Sequence, residues 1–161
     1  MRFRWFIAVL LTALVGLALV ACAGAQEEED ANPRFGVWLL RSDRPAPYRN
    51  VMTYAPWGDG GMSIEVATTN DQGETSVWSY ETLFDGEFRP VAGLENSETA
   101  VEYVNDRRTR ISNKRDGVVY QVIINSLSED GNRIDNDYVR MDAEGRITGV
   151  TRAIYDRQME E

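Results

Sequence analysis

The side chains that most often act as a general base, a thiol nucleophile or a transition-metal ligand are nearly absent from this sequence. It contains no histidine, and its one cysteine, Cys22, lies in an apolar N-terminal stretch. Histidine is the commonest general base near neutral pH, and zinc and copper sites are built largely from His and Cys. The sequence therefore predicts a protein that is not an enzyme and that holds no metal and no cofactor.

Carboxylates are the remaining groups with catalytic potential. Glu65 and Glu81 lie on segments that we expect to be neighbouring strands, and two carboxylates can act as acid and base where burial separates their pKa values. Solvated charges on the outer face of a sheet explain the same pair more simply. Carboxylate-based catalysis is thus only a third hypothesis for the function.

Several acidic residues lie in glycine-containing loops, and loops of this kind can bind calcium. None of these loops has the full EF-hand pattern, and Asp is also a preferred residue of hairpin turns. We therefore interpret them as turn residues. They are Asp71, Asp130, Asp142 and Glu144.

Aromatic side chains are the strongest candidates for binding. Trp78 and Tyr80 are two residues apart and so share one face of a predicted strand. Each such side chain offers a flat apolar body with a polar tip, which suits an amphipathic ligand, although packing in a core explains it as well. Tyrosines on other predicted strands complete the candidate set: Tyr54, Tyr103, Tyr120 and Tyr138.

The elements that must position these residues are short strands. Apolar or β-branched runs alternate with Gly, Asp and Asn, and no helical periodicity persists over three turns. Hairpin connections without long crossovers predict an all-β fold, an antiparallel up-and-down meander barrel of about eight to ten strands. The predicted strands are 35–41, 50–55, 62–69, 75–84, 87–91, 100–104, 109–112, 118–127, 133–141 and 147–156.

The first predicted strand carries Gly36-Val37-Trp38, which resembles the opening Gly-x-Trp signature of lipocalins and related calycin barrels. The resemblance implies that Trp38 plugs the closed end of the barrel under a basic residue of the last strand. Arg157 is the best match for that residue, and Arg152 is the second. A cation over an indole face contributes roughly 0.5–2 kcal/mol.

Two further segments, 84–93 (FDGEFRPVAG) and 154–158 (IYDRQ), are similar to those of small lipocalin-like barrels that bacteria export. The resemblance implies a non-catalytic barrel that binds a small apolar or amphipathic ligand or a partner surface. A structural or envelope-assembly lipoprotein with a filled barrel is the alternative. The fold alone does not decide between them, because such barrels host many functions.

Residues 1–25 have the pattern of a signal peptide, with two arginines followed by an uncharged apolar run. Leu19-Val20-Ala21-Cys22 resembles the lipobox of bacterial lipoproteins, in which the cysteine is acylated and anchors the mature chain to a membrane. Cleavage after Ala25 by an ordinary signal peptidase is the alternative and would remove Cys22. The first predicts an outer-membrane or periplasmic lipoprotein, and the second a soluble periplasmic or secreted protein.

An acidic, flexible tether is predicted over residues 26–34, before a barrel domain over 35–158. The whole chain of 161 residues carries 26 acidic and 17 basic residues, a net charge of −9. So acidic a chain repels phosphate backbones, which excludes nucleic acid as an expected partner.

Overall fold

A computed structural model describes residues 32–159 of the protein. The predicted signal peptide, Cys22 and both predicted cleavage sites lie outside the described residues. Within residues 32–159 no helix is long and apolar enough to cross a membrane. The same range contains the strands β1 Gly36–Leu40, β2 Arg49–Trp57, β3 Gly61–Thr69, β4 Thr75–Thr82, β5 Arg89–Pro90, β6 Ser97–Asn105, β7 Arg108–Arg115, β8 Val118–Leu127, β9 Arg133–Met141 and β10 Ile147–Gln158.

The strands form one antiparallel sheet in the order β4-β3-β2-β1-β10-β9-β8-β7-β6-β5. Strands consecutive in sequence are neighbours except β4 and β5, which form the two ends of the sheet, and β1 pairs with β10. The sheet curls into an up-and-down barrel. The two sheet ends meet where the backbones of Ser79 and Ala92 exchange hydrogen bonds of 3.0 and 2.8 Å. The predicted all-β meander barrel is confirmed.

Glycine is required where the barrel closes. Gly93 has a φ of +82°, and a Cβ added there would lie 2.6 Å from the Val77 carbonyl oxygen. Any larger residue would therefore push β4 away from the segment that follows β5.

The alternation along single strands explains how the sheet acquires its inner face. In β3, Met62, Ile64 and Val66 are buried, whereas Glu65 between them is exposed. Successive side chains of a strand point to opposite faces, so each strand with this pattern contributes one apolar face to the barrel interior. A two-residue turn, Asp116-Gly117 with φ of +50° and +82°, joins β7 to β8 as hairpins of this length require.

The chain direction defines two ends of the barrel. We call the end where β1 begins and β10 finishes the closed end, because Trp38 is fully buried there. At the opposite end, which we call the open end, lie the connections β1–β2, β3–β4, β5–β6, β7–β8 and β9–β10.

The folded domain begins before the predicted boundary at Phe35. The predicted tether extends to Arg34, but the Arg34 side chain is 1% exposed and its carbonyl accepts a 2.8 Å hydrogen bond from Trp38 Nε1. The prediction is wrong at this residue, because the charged composition of the segment gave no sign that one arginine turns inward.

Candidate functional site

A cavity of about 210 Å³ occupies the barrel interior. An engineered apolar cavity of about 150 Å³ already accommodates benzene, so this space is large enough for a small organic molecule. Its wall is mostly aliphatic and aromatic, with several uncharged polar side chains and two charged ones. The lining residues are Asn50, Met52, Tyr54, Ile64, Val66, Trp78, Tyr80, Val91, Leu94, Ser97, Glu98, Thr99, Ile111, Asn113, Lys114, Tyr120, Gln121, Ile123, Asn136, Tyr138 and Tyr155.

Five of the six predicted ligand-binding residues line this cavity. Trp78 and Tyr80 are stacked, with ring centroids 6.1 Å apart and an interplanar angle of 12°. Tyr54, Tyr120 and Tyr138 reach the same space from β2, β8 and β9. The barrel thus gathers these five side chains, which lie up to 84 positions apart in the sequence, counted from Tyr54 to Tyr138.

Tyr103, the sixth predicted residue, does not line the cavity. Its side chain is 49% exposed, its ring stacks on Phe84 with the centroids 4.3 Å apart, and its hydroxyl accepts a hydrogen bond from Asn32. A bulge in the pairing of β6 with β7 falls just after this residue. The structure therefore places Tyr103 at the rim of the closed end rather than inside the barrel.

The sequence-based prediction missed the amide side chains that line the cavity. Thr99 Oγ1 donates to Asn113 Oδ1 at 2.9 Å, and Asn113 Nδ2 donates to Gln121 Oε1 at 3.0 Å. Asn136 Nδ2 donates to the Tyr138 hydroxyl at 3.3 Å. The alternation of β9 offered a signal, since Asn136 shares its face with Ile134 and Tyr138.

Asn50 differs from the other amides of the cavity wall because its side-chain oxygen has no hydrogen-bond partner within residues 32–159. Its Nδ2 donates to Thr68 Oγ1 at 2.7 Å, but its buried Oδ1 has no partner among the described residues. Its place near the start of β2 puts it at the open end of the cavity. Here too, alternation with Met52 and Tyr54 predicts an inward side chain.

Two charged residues, Glu98 and Lys114, contribute to the cavity wall within residues 32–159. Their side chains pair with each other at 3.0 Å, and Lys114 Nζ lies 3.9 Å from the ring centroid of Phe88, which is not a lining residue. Glu98 precedes the inward-facing Thr99 in β6, and Lys114 follows the inward-facing Asn113 in β7. The ion pair therefore leaves no unpaired charge among the described residues of the cavity wall.

The closed end is built from the residues of the Gly-x-Trp resemblance. The Arg157 guanidinium carbon lies 4.2 Å from the ring centroid of Trp38, whereas Arg152 pairs with Asp137. Arg157 also donates to the carbonyl oxygens of Phe35 at 2.6 Å and Gly131 at 2.9 Å. A Cβ on Gly36 would lie 2.8 Å from Arg157 Nη1, so glycine makes room for the cation.

Arg34 lies buried at the same end. Its Nε donates to Asn125 Oδ1 at 3.2 Å and its Nη1 to the Asp106 carbonyl at 3.3 Å, while Nη2 has no partner among the described residues. Burial lowers the pKa of Arg34 from its ordinary value. Asn125 in turn donates to Asn136 Oδ1 at 2.9 Å, which connects the guanidinium to the amides of the cavity.

The acidic residues considered for catalysis or calcium have other surroundings. Glu65 and Glu81 are both exposed, away from the cavity. The loop carboxylates stabilise their own turns or pair with arginine: Asp71 with Arg44, Asp130 with Ser128, and both Asp142 and Glu144 with Arg146. Within residues 32–159 no group of three or more Asp, Glu, His or Cys side chains is arranged to hold a metal ion.

Comparison with known proteins gives structural neighbours only. No protein-family model matches the chain, and no curated protein matches it. Among solved structures it is similar to the fluorescent protein UnaG (TM-score 0.53, 12% identity, 77% of this chain and 96% of that chain). It is also similar to a Schistosoma mansoni fatty acid binding protein in complex with arachidonic acid (TM-score 0.54, 11% identity, 80% and 98% of the chains). At such low identity these similarities show the fold, that of the calycin-type β-barrels.

Proposed function

We propose that this protein is a non-catalytic barrel that binds a small apolar or amphipathic molecule in its interior. The cavity of about 210 Å³, lined by Trp78, Tyr80 and four further tyrosines, carries the proposal. Apolar walls with a few polar groups are the usual composition of small-molecule sites. The similarity to a fatty acid binding protein supports an interior that takes a molecule with an apolar chain.

The alternative functions have less support. A structural lipoprotein with a filled barrel needs no cavity, and leaving one costs packing energy. A carboxylate enzyme requires two facing acidic side chains in a cleft, whereas Glu65 and Glu81 are exposed on the outer face.

Filling the cavity is expected to abolish binding. Val66 is buried in the cavity wall, so Val66→Trp places an indole in the space that a ligand would occupy. We expect the affinity for eight-carbon probes (1-octanol, octanoate or octylammonium) to fall on the order of tenfold or more. Isothermal titration calorimetry of the full chain measures this loss.

Glu65→Trp is the matched control, because it adds the same indole one residue away on the outer face. It is expected to bind as the unmodified protein does. Circular dichroism establishes that both variants keep the β-sheet spectrum. Failure of all three probes to bind the unmodified protein, or equal binding by both variants, would refute the proposal.

We also propose that the chain is exported and acylated at Cys22. The proposal rests on the charged and apolar pattern of residues 1–25 and on the position of the single cysteine. We expect mass spectrometry of the mature protein from bacterial membranes to find diacylglycerol on Cys22 at the N-terminus, and Cys22→Ala to abolish the modification. A mature chain that begins at Gln26 would contradict acylation but not export.

A further inference from the structure

We infer that the ligand of the cavity presents a neutral hydroxyl or amide group, not a carboxylate or an ammonium, and that Asn50 is the residue that selects it. This inference rests on the proposed function. It concerns the chemical class of the ligand and the residue that recognises it.

The first argument is the charge of the wall. The inward polar side chains are uncharged amides and hydroxyls, namely Asn50, Ser97, Thr99, Asn113, Gln121 and Asn136. The two charged lining residues, Glu98 and Lys114, pair with each other at 3.0 Å. An ionised ligand that leaves water needs a counter-charge, and an unpaired ion is strongly disfavoured in such a site.

The second argument concerns Arg34, the cation that would otherwise attract an anionic ligand. Its guanidinium donates to Asn125 Oδ1 and to the Asp106 carbonyl at the closed end, and Arg34 does not line the cavity. Asn125 lies between this charge and Asn136 of the cavity wall. A ligand in the cavity therefore contacts amides and tyrosines rather than the guanidinium.

The third argument is the unused group of Asn50. Its Oδ1 is buried and has no partner in the described part of the chain, while its Nδ2 donates to Thr68 Oγ1 at 2.7 Å. Because a threonine hydroxyl both donates and accepts, the Asn50 amide is able to rotate and offer the ligand either its oxygen or its N–H. A ligand hydroxyl can pair with either orientation of the Asn50 amide, because it both donates and accepts. A carboxylate can only accept from the N–H, and an ammonium can only donate to the oxygen.

The size of the cavity sets the probes for the test. About 210 Å³ exceeds the roughly 150 Å³ that encloses benzene, so a short-chain amphiphile is appropriate. 1-Octanol, octanoate and octylammonium share one eight-carbon chain and differ in the charge of the polar end. Calorimetric titration of the full chain at neutral pH compares their affinities directly.

We expect 1-octanol to bind about tenfold or more tightly than octanoate or octylammonium. Asn50→Leu is expected to weaken 1-octanol about tenfold and to change octanoate by about twofold at most, so that the preference for the alcohol disappears. Asn50→Asp, which adds a negative charge, is expected to strengthen octylammonium and to weaken octanoate. A residue with only a structural role would not reorder the probes in this way.

Asn132→Leu is the control, since Asn132 is an exposed turn residue outside the cavity. It should leave all three affinities unchanged, and circular dichroism establishes that the Asn50 variants fold. Octanoate binding as tightly as 1-octanol, or an order of probes that no Asn50 variant changes, would overturn this inference while leaving the proposed function intact. Failure of every probe overturns both.

Discussion

Trp38→Ala is expected to lower the free energy of unfolding by about 3–5 kcal/mol, the range for truncating a large buried aromatic side chain. Trp38 is 0% exposed, its Nε1 donates to the Arg34 carbonyl at 2.8 Å, and the Arg157 guanidinium lies 4.2 Å from its ring centroid. The substitution would leave a cavity under Arg157 and an unpaired carbonyl on Arg34. Urea unfolding followed by circular dichroism measures the loss.

Trp57→Ala is the matched control for this experiment. Trp57 lies on β2 and is 37% exposed, so its replacement is expected to cost about 1 kcal/mol or less. Arg157→Ala should reproduce part of the Trp38 effect, because it removes the cation and its bonds to the Phe35 and Gly131 carbonyls. Equal losses for Trp38→Ala and Trp57→Ala would mean that the closed end is not the stabilising centre described here.

High pH is expected to unfold the protein steeply through three buried tyrosines. Burial raises the pKa of the Tyr54, Tyr80 and Tyr155 hydroxyls above the ordinary value, because the tyrosinate would be removed from water. A raised pKa stabilises the fold fully below about pH 10, the ordinary tyrosine pKa, and that stability is lost as the pH rises above it. Above that pH, each tyrosine lowers the free energy of unfolding by about 1.4 kcal/mol per pH unit. The three together lower it by about 4 kcal/mol per pH unit.

The measurement is the urea midpoint between about pH 9 and pH 11.5, together with tyrosinate absorbance. Tyr155→Phe keeps the ring and removes one ionisable hydroxyl, so it should reduce the slope by about one third. Its stability at neutral pH serves as the internal control. Ionisation of all seven tyrosines near pH 10 in the folded protein would show that the three hydroxyls are not buried as described.

Much of the fold was accessible from local patterns. The predicted ranges 118–127 and 133–141 coincide with β8 and β9, because turn segments flank both strands. Boundaries were less accurate where pairing with a neighbour extends a strand beyond its apolar run. For β6, the prediction began at Ala100, whereas pairing of Ser97 with Arg115 and Glu98 with Lys114 brings the start to Ser97.

The candidate site was accessible only in part. Aromatic residues at alternate positions, such as Trp78 and Tyr80, could be recognised as binding candidates from their size and chemistry. Amides could not, because Asn and Gln are common in turns and on surfaces. For Asn50 the one local signal is its alternation with Met52 and Tyr54 on β2. Tyr103 lies outside the cavity because it is near the closed-end terminus of β6, and residue types do not show how far along a strand the cavity extends.

By itself, the sequence determined the strands, the tight turns and the absence of histidine and of a cysteine in the barrel domain. These properties depend on residue type and on the alternation along one strand, which are local. Tertiary structure alone decided that the barrel leaves a cavity, that Arg34 is buried and that the Asn50 oxygen is unpaired within residues 32–159. Each of these depends on contacts between residues of strands that are distant in the chain. Closure of the barrel determines which of these residues are in contact.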